Sequence, residues 1–406
     1  MDFKDLHILK TALAVRVSPP TRRSHPHHIG EMSTRITRKR LRCEVDQEAE
    51  HVEAPAEDPI LPGTSDSNMQ DVETKLDHWK KDEEFWFGDG TVILVAGDVE
   101  FRVYAGLLSA RSPVLKVIFE QRDYPHRKVS MPDGSSFRCA VVSLPESPED
   151  LRHLLRAYMP GHGARYDNSS LVCAVEFTAS RFFTSEAPSY YAISASIRLG
   201  RKYHLTELYD QALQYLKVKF PADFEGWHAL HDWVPVNFAK EHAIGVVNLA
   251  RLTGELSILP AAFLVCLSLE ASVVDGFVRE DGTSEHLTLA DLGRCIKGQG
   301  SMRNASVSAL LNAIPSTPPS MCEVNCKVAL RRIHQDLKKN IDELVTIQSF
   351  ASLYDGFIPT DTRICYPCRN LIDEMHEKER AAVWSRLPEL LDLEVPNWVS
   401  AEPLQA

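Results

Sequence analysis

The stretch VILVAGDVEFRVYAGLLSARSPVLKVIF, Val92–Phe119, changes its hydrophobic period twice within 28 residues. Residues 91–96 are apolar on both faces, which is typical of a buried strand. Gly97-Asp98 is a two-residue hairpin signal, since glycine readily takes a positive φ. Residues 99–103 then alternate, so their charged side chains are predicted on the face opposite their apolar ones. From Tyr104 onward the spacing is helical, and the stretch therefore predicts a hairpin followed at once by helices.

Two short helices are predicted after the hairpin. The first carries Leu107, Leu108 and Arg111 on one face. Ser112 followed by Pro113 is an N-cap with a first-turn proline, so a second helix begins there. The apolar face of that second helix is formed by Leu115, Ile118 and Phe119.

A third strand, residues 139–144, and a capped helix are predicted next. Ser147 is the N-cap, Pro148 occupies the first helical position, and Asp150 stands where a capping-box acid reaches back. The loop of residues 161–188 is longer than a compact domain usually carries, so it is interpreted as an insertion.

Two further helices close this region. The first places Ile193 and Ile197 four residues apart, and Thr206 is predicted to cap the second. The second helix has a regular apolar face formed by Leu208, Ala212, Leu216 and Phe220.

Taken in this order, the elements resemble a BTB/POZ domain over residues 85–220, of the type common in basidiomycete fungi. The stretches SPEDLRHLLRAYM and AISASIRLGRKYHLTELYDQALQYL are similar to the later helices of the family. The positions that match the interaction motif are Phe101, Tyr104, Leu108, Ser112, Leu115 and Phe119. The resemblance implies a protein-interaction module that forms homodimers or binds cullin-type ubiquitin ligase scaffolds, without a catalytic residue.

The sequence departs from the family at three positions. Tyr104 replaces the usual histidine. Thr91 and Ala105 stand where relatives often carry an acid and a base that line a charged pocket at the dimer face. Their neutrality puts a corepressor-type pocket in doubt.

Residues 221–395 are predicted to form a mainly helical domain. Val246, Leu249 and Leu252 recur at three-residue steps, and Pro260 opens or kinks the following helix. A long amphipathic helix is predicted to begin near residue 328. Its apolar stripe comprises Leu330, Ile333, Leu337 and Ile341.

Four cysteines form two close pairs at the ends of helices in this domain. Cys322 and Cys326 open a helix, and Cys365 and Cys368 are placed in a turn before one. Two such clips have the spacing of a tetrahedral structural zinc site, which leaves no open position for catalysis. The alternatives are four reduced thiols packed together without metal, and a redox function of the second pair, which no surrounding βαβ pattern supports. The five other cysteines show no pairing and are predicted in the core or in loops: Cys43, Cys139, Cys173, Cys266 and Cys295.

Residues 1–84 are predicted to be disordered, and residues 396–406 form a short C-terminal tail. Residues 1–44 contain ten Lys/Arg against four Asp/Glu, and residues 45–84 contain three against thirteen. The stretch Arg38–Arg42 is either a nuclear import signal or a solvated basic patch. The histidines of residues 25–28 are interpreted as solvated rather than metal-binding.

Composition excludes several classes of function. The chain has 406 residues, 44% of them hydrophobic, and a formal net charge of −11. The negative charge argues against a protein whose surface binds nucleic acid. The longest apolar run has about 12 residues where a membrane span needs about 20, and no secretory signal is recognised at the first residues. No phosphate loop, nucleophile elbow or dinucleotide fingerprint occurs.

The sequence therefore predicts an α+β protein: a BTB/POZ domain with a small mixed sheet and a cluster of helices, followed by a mainly α-helical domain. We expect a non-enzymatic interaction protein of the cytoplasm or nucleus, with protein partners, self-association and no catalytic cofactor. A zinc-stabilised nuclear regulator is the alternative, and an enzyme is the less favoured one.

Overall fold

The computed structural model describes residues 79–121, 123–130, 134–159, 187–230, 234–322, 326–339 and 364–398. All of them belong to one compact unit that begins at Ser67. The predictions for the tail up to residue 78, including the basic stretch and the histidines, lie outside these residues. So do those for most of the insertion, for Cys43 and Cys173, for Ile341 and for the last eight residues.

The first part of the described chain contains a five-stranded mixed sheet, in agreement with the predicted α+β class. Its strands are β1 (Lys80–Trp86), β2 (Val92–Ala96), β3 (Val99–Val103), β4 (His126–Ser130) and β5 (Ser136–Leu144). They lie in the order β1-β3-β2-β5-β4. β1 runs parallel to β3 and β2 parallel to β5, whereas the β2–β3 and β4–β5 pairs are antiparallel. The first strand begins five residues before the predicted start of order at Phe85.

The β2–β3 hairpin forms where the sequence predicts it. Gly97 has a φ of +56° in the turn, a conformation that side chains with a Cβ disfavour. The register pairs Val92 with Val103 and Ala96 with Val99, so the two central strands are joined over their full length.

Helices follow and cover one face of the sheet. They are α1 (Ala105–Arg111), α2 (Pro113–Glu120), α3 (Pro148–Tyr158), α4 (Tyr190–Lys202) and α5 (Thr206–Lys219). Ser112 caps α2 by accepting a hydrogen bond from the Leu115 N–H at 2.9 Å, and Ser147 caps α3. Leu108 of α1 is buried, but Leu107 is 45% exposed, so the predicted shared face of α1 is wrong. The start of α5 also differs, since Leu205 and not Thr206 occupies the capping position.

The charged side chains of β3 lie on the opposite face of the sheet, and that face is covered as well. Glu100 and Arg102 are both buried, with 2% and 3% of their surface exposed. Arg127 of β4 donates to Glu100 at 2.5 Å, and the Arg102 Nε donates to the Gly90 carbonyl at 3.0 Å. Charged side chains are tolerated there because their hydrogen bonds are made within the sheet.

The rest of the chain is mainly helical. It contains α6 (Phe224–Ala229), α7 (His242–Thr253), α8 (Leu259–Leu267), α9 (Leu289–Ala313), α10 (Lys327–Lys339), α11 (Tyr366–Ser385) and α12 (Leu387–Leu390). A two-stranded hairpin of β6 (Phe277–Val278) and β7 (Ser284–Glu285) interrupts them, an element that the sequence did not predict.

Every residue of α8 is buried, and Pro260 lies in its first turn as predicted. Val246 and Leu249 of α7 are buried, whereas Leu252 is 43% exposed, so the predicted three-residue stripe ends one step early. The predicted apolar face of α5 is confirmed. Its C-terminal half and part of α4 pack into the same core as α7 and α8, so these helices form one continuous interior.

Among the described helices, none combines the length and apolar character that crossing a bilayer requires.

Candidate metal centre

The four cysteines of the two predicted pairs come together at the N-terminal ends of α10 and α11. Cys326 directly precedes the first residue of α10. Cys365 occupies the N-cap position of α11, and Pro367 lies in the first turn. The second pair therefore lies across the start of a helix, and Cys368 belongs to that helix rather than to a preceding turn.

The geometry of the cluster matches a tetrahedral thiolate site. The four Sγ atoms all lie within 4.8 Å of one another, and the Cys322 and Cys365 sulfurs are 3.8 Å apart. A zinc–sulfur bond of about 2.3 Å gives a tetrahedron whose edge is about 3.8 Å. The cysteines can therefore hold a metal ion with little movement of the chain.

Backbone donors already point at two of the sulfurs. The Cys326 N–H donates to the Cys322 Sγ, and the Cys365 N–H donates to the Cys326 Sγ, both at 3.3 Å. Such donors favour a thiolate over a thiol. The positive ends of two helix dipoles act in the same direction, because Cys326, Cys365 and Cys368 lie at helix N-termini.

Burial opposes these donors. Cys326 and Cys368 are buried, whereas Cys322 and Cys365 are half-buried. Burial raises the pKa of the Cys326 and Cys368 thiols, and hydrogen bonds with neighbouring cysteines raise that of Cys368 further. The negative charge of thiolates buried here needs a neighbouring cation to neutralise it, and a metal ion bound by the thiolates would supply that cation.

The cluster joins two helices, α10 and α11, that also meet in a small apolar group. This group lies beside the cluster, separate from the main core, and contains Leu330, Ile333 and Leu337 of α10 and Ile372 of α11. Ile372 and His376 follow Cys368 at four-residue steps, and all three face inward. Burial, with a smaller contribution from the Arg380 charge, lowers the pKa of His376 to about 4.

With four protein ligands the cysteine site is closed, so a metal here would be structural.

The remaining cysteines of the described residues are buried. Cys139 donates to the Gly90 carbonyl at 3.4 Å. Cys266 of α8 and Cys295 of α9 are both buried in the core, and burial, followed by the nearby Cys295, raises the pKa of Cys266. The prediction that these cysteines lie in the core or in loops is confirmed for Cys139, Cys266 and Cys295.

Most positions of the predicted interaction motif lie inside the fold. Phe101, Leu108 and Leu115 are at most 1% exposed. The buried Ser112 donates its hydroxyl to the Tyr203 carbonyl at 2.6 Å, which fastens the α1–α2 junction to the end of α4. These residues hold the module together and do not form its surface.

Tyr104 and Phe119 are the half-buried members of the motif. The Tyr104 hydroxyl donates to Asp89 at 2.7 Å, and its ring lies 5.0 Å from that of Phe87. Phe119 of α2 is partly buried and packs against the core of the module.

The structure places the two neutral pocket positions in contact. The Ala105 N–H donates to the Thr91 Oγ1 at 3.0 Å. Thr91 thus caps the first turn of α1 from the neighbouring strand, a function that a hydroxyl performs without any charge.

One polar centre was missed by sequence reasoning. The Asp150 carboxylate does not reach back to cap α3. It receives two hydrogen bonds from Arg198 at 2.7 and 2.8 Å, and two from Arg279 at 3.1 and 3.3 Å. Arg279 follows β6, so this centre ties α3 and α4 to the later hairpin. Its members are up to 129 residues apart, and no local pattern signals them.

No family model, no curated protein and no solved structure matches this chain.

Proposed function

We propose that this chain is a non-enzymatic protein-interaction protein whose residues 85–220 act as a BTB-type module. The order of elements in the structure supports the proposal: a β-hairpin, two short helices, a β4–β5 pair and three helices on one face of the sheet. The buried Ser112 junction supports it further, because the motif position is used to close the fold.

The surface of α1 and α2 is the region proposed for self-association. Leu107 of α1 is 45% exposed and Val117 of α2 is 61% exposed, and the two helices are packed against each other. Exposed apolar side chains on adjacent helices favour association with another protein surface. The BTB resemblance implies a second copy of the chain as the first candidate partner. A cullin-type ubiquitin ligase scaffold is the second candidate.

We propose further that the four-cysteine cluster binds one structural zinc ion. The observation that carries this is the 3.8 Å edge between Cys322 and Cys365, within a group of four sulfurs that share one centre. Thiolates select zinc, and two cysteine clips are the usual source of such a site.

Self-association is tested on the full chain by sedimentation velocity between 1 and 100 µM, a range spanning about 8 to 5.5 kcal/mol of binding free energy. We expect a dimer. The paired substitution Leu107→Glu and Val117→Glu should shift it to monomer, whereas Val218→Glu on α5, where Val218 is 56% exposed, should not. A wild-type chain that stays monomeric throughout would contradict the proposal.

Zinc is tested by elemental analysis of protein purified without chelator. We expect about one zinc per chain, as four thiolates complete one tetrahedral site. Cys365→Ser should lower the zinc content, and Cys139→Ser, which changes a buried cysteine outside the cluster, should leave it unchanged. A folded wild-type protein with reduced thiols and no zinc would leave only packed thiols.

A further inference from the structure

One exposed face of α9 has an apolar side chain alternating with glycine. It consists of Leu289, Gly293, Ile296 and Gly300, which we call the α9 seam. At 100° per residue these four positions fall within a 60° sector of the helix. Leu289 is 88% exposed and Ile296 is 63% exposed.

No contact among the described residues explains the two glycines of the seam. A Cβ at Gly293 or Gly300 would meet no atom within 4 Å, whereas a Cβ at Gly298 would lie 2.9 Å from Leu391. Packing thus accounts for Gly298 alone. Glycine lowers the stability of a helix relative to alanine, so two open glycines weaken α9 without any benefit to the isolated chain.

The seam continues a stripe that is covered farther along the same helix. Val307 and Leu311 extend it by further helical steps and pack against the apolar group of α10. Among the described residues, Val307 and Leu311 are therefore covered by another helix, whereas the seam itself is not.

We infer that the α9 seam is a contact surface for the same seam of a second copy of this chain, with the two helices antiparallel. The spacing of the four positions is four, three and four residues, which reads the same in both directions. Antiparallel pairing about a two-fold axis between residues 294 and 295 sets Leu289 against Gly300, and Gly293 against Ile296. Each large side chain then enters the space left by a glycine, as an isologous contact requires.

Other arrangements fit less well. Parallel pairing in register sets Leu289 against Leu289 and glycine against glycine, which alternates collision with empty space. An unrelated partner helix has no reason to match this reversible order.

The charges beside the seam do not oppose the contact. Arg294 forms an ion pair with Asp291 at 3.0 Å, and Lys297 with Asp392 at 3.2 Å. The cations are therefore offset within each chain. The seam spans only 12 residues, about 16 Å of helix, so we expect a weak contact that gains strength when another interface holds the copies together.

Cysteine pairing in the full chain tests the arrangement. Leu289→Cys and Gly300→Cys chains, distinguished by a tag, are co-produced and mildly oxidised. The antiparallel contact places residue 289 of one copy beside residue 300 of the other, but separates each position from its own counterpart by about 16 Å, beyond the reach of a disulfide. We therefore expect mixed covalent dimers in excess of either homodimer and of a wild-type mixture.

Homodimers in excess would show parallel pairing and overturn the inference, as would mixed dimers no more abundant than in wild type. Ile296→Lys should weaken self-association of the seam at least tenfold when monitored by this cross-linking yield. Val278→Lys, at a residue with the same 63% exposure, should leave the yield unchanged. Equal effects of the two substitutions would also overturn it. The readout is specific to α9, so its failure leaves the proposed α1–α2 contact untouched.

Discussion

If the cysteine cluster binds zinc as proposed, removal of the zinc should release α10 from the rest of the protein. This helix has 13 residues, and helices of about 12–15 residues are marginal in water when they lack tertiary contacts. Its described contacts are three buried apolar side chains, a 3.0 Å hydrogen bond between His334 and the Ile314 carbonyl, and the cysteine cluster just before its first residue. Without a metal, the apolar contacts and this one hydrogen bond remain to hold it.

A lower limit can be estimated for the free energy that α10 loses when zinc is removed. Zinc contributes about 10–16 kcal/mol of apparent binding free energy to small zinc-folded peptides. If only a fifth of that stabilises the docked state of α10, its loss is about 2–3 kcal/mol, which makes opening of the helix about 30–150 times more frequent. Opening frequency is what amide hydrogen exchange measures.

Hydrogen exchange with mass spectrometry should therefore be recorded with zinc and after chelation under reducing conditions. Peptides from residues 327–339 should exchange at least 30-fold faster after chelation, in line with the bound above. Peptides from residues 259–267 of the buried α8 provide the control and should not change. If zinc is removed and the exchange rate of α10 stays within threefold of its rate with zinc, the helix is not held in place by the metal.

Three further outcomes are expected in denaturant melts. Asp150→Asn should lower the free energy of unfolding by about 2–4 kcal/mol because it removes the carboxylate that Arg198 and Arg279 share, although Arg279 keeps longer contacts with Asp281 and Glu285. Glu149→Gln should change it by less than about 1 kcal/mol. His376 has a folded-state pKa near 4 against an unfolded value near 6.5, so the unfolded chain takes up the proton first as pH falls. The His376 contribution to stability should thus decline by up to about 3 kcal/mol between pH 6.5 and 4, and His376→Leu should make the slope shallower. A slope of the same sign remains from His242, whose pKa is also lowered by burial. An unchanged slope would show that the His376 imidazole is not responsible. Thr91→Val should cost about 1 kcal/mol by removing the acceptor of the Ala105 N–H, and Thr91→Ser should not.

Features coded by adjacent residues could be predicted from the sequence. The hairpin turn at Gly97, the N-cap at Ser112 and the buried face of α5 all depend on spacings of a few residues, and all three are confirmed. Each rests on backbone chemistry that is the same in every fold.

Features decided by distant parts of the chain could not be predicted in this way. The alternation of β3 predicts that Glu100 and Arg102 lie on the face opposite its apolar side chains. Strand β4 supplies Arg127 from 27 residues away, and that partner makes burial of Glu100 acceptable. A periodicity shows which side of a strand is polar, but not whether that side is covered.

The cysteine cluster is the exception among the long-range features, and the reason is chemical. Cys326 and Cys365 are 39 residues apart, as remote as many contacts that no pattern predicts. Thiol pairs at short spacing, however, have few structural uses in the absence of disulfides, so their presence alone indicates that the two pairs meet. Asp150 and its two arginines lack this property, because carboxylates and guanidinium groups occur throughout the surface. A distant contact is thus predictable when the residue types have few alternative partners. The α9 seam lies between these cases: its glycines were visible in the sequence, but only the open space around them shows that no part of the described chain requires them.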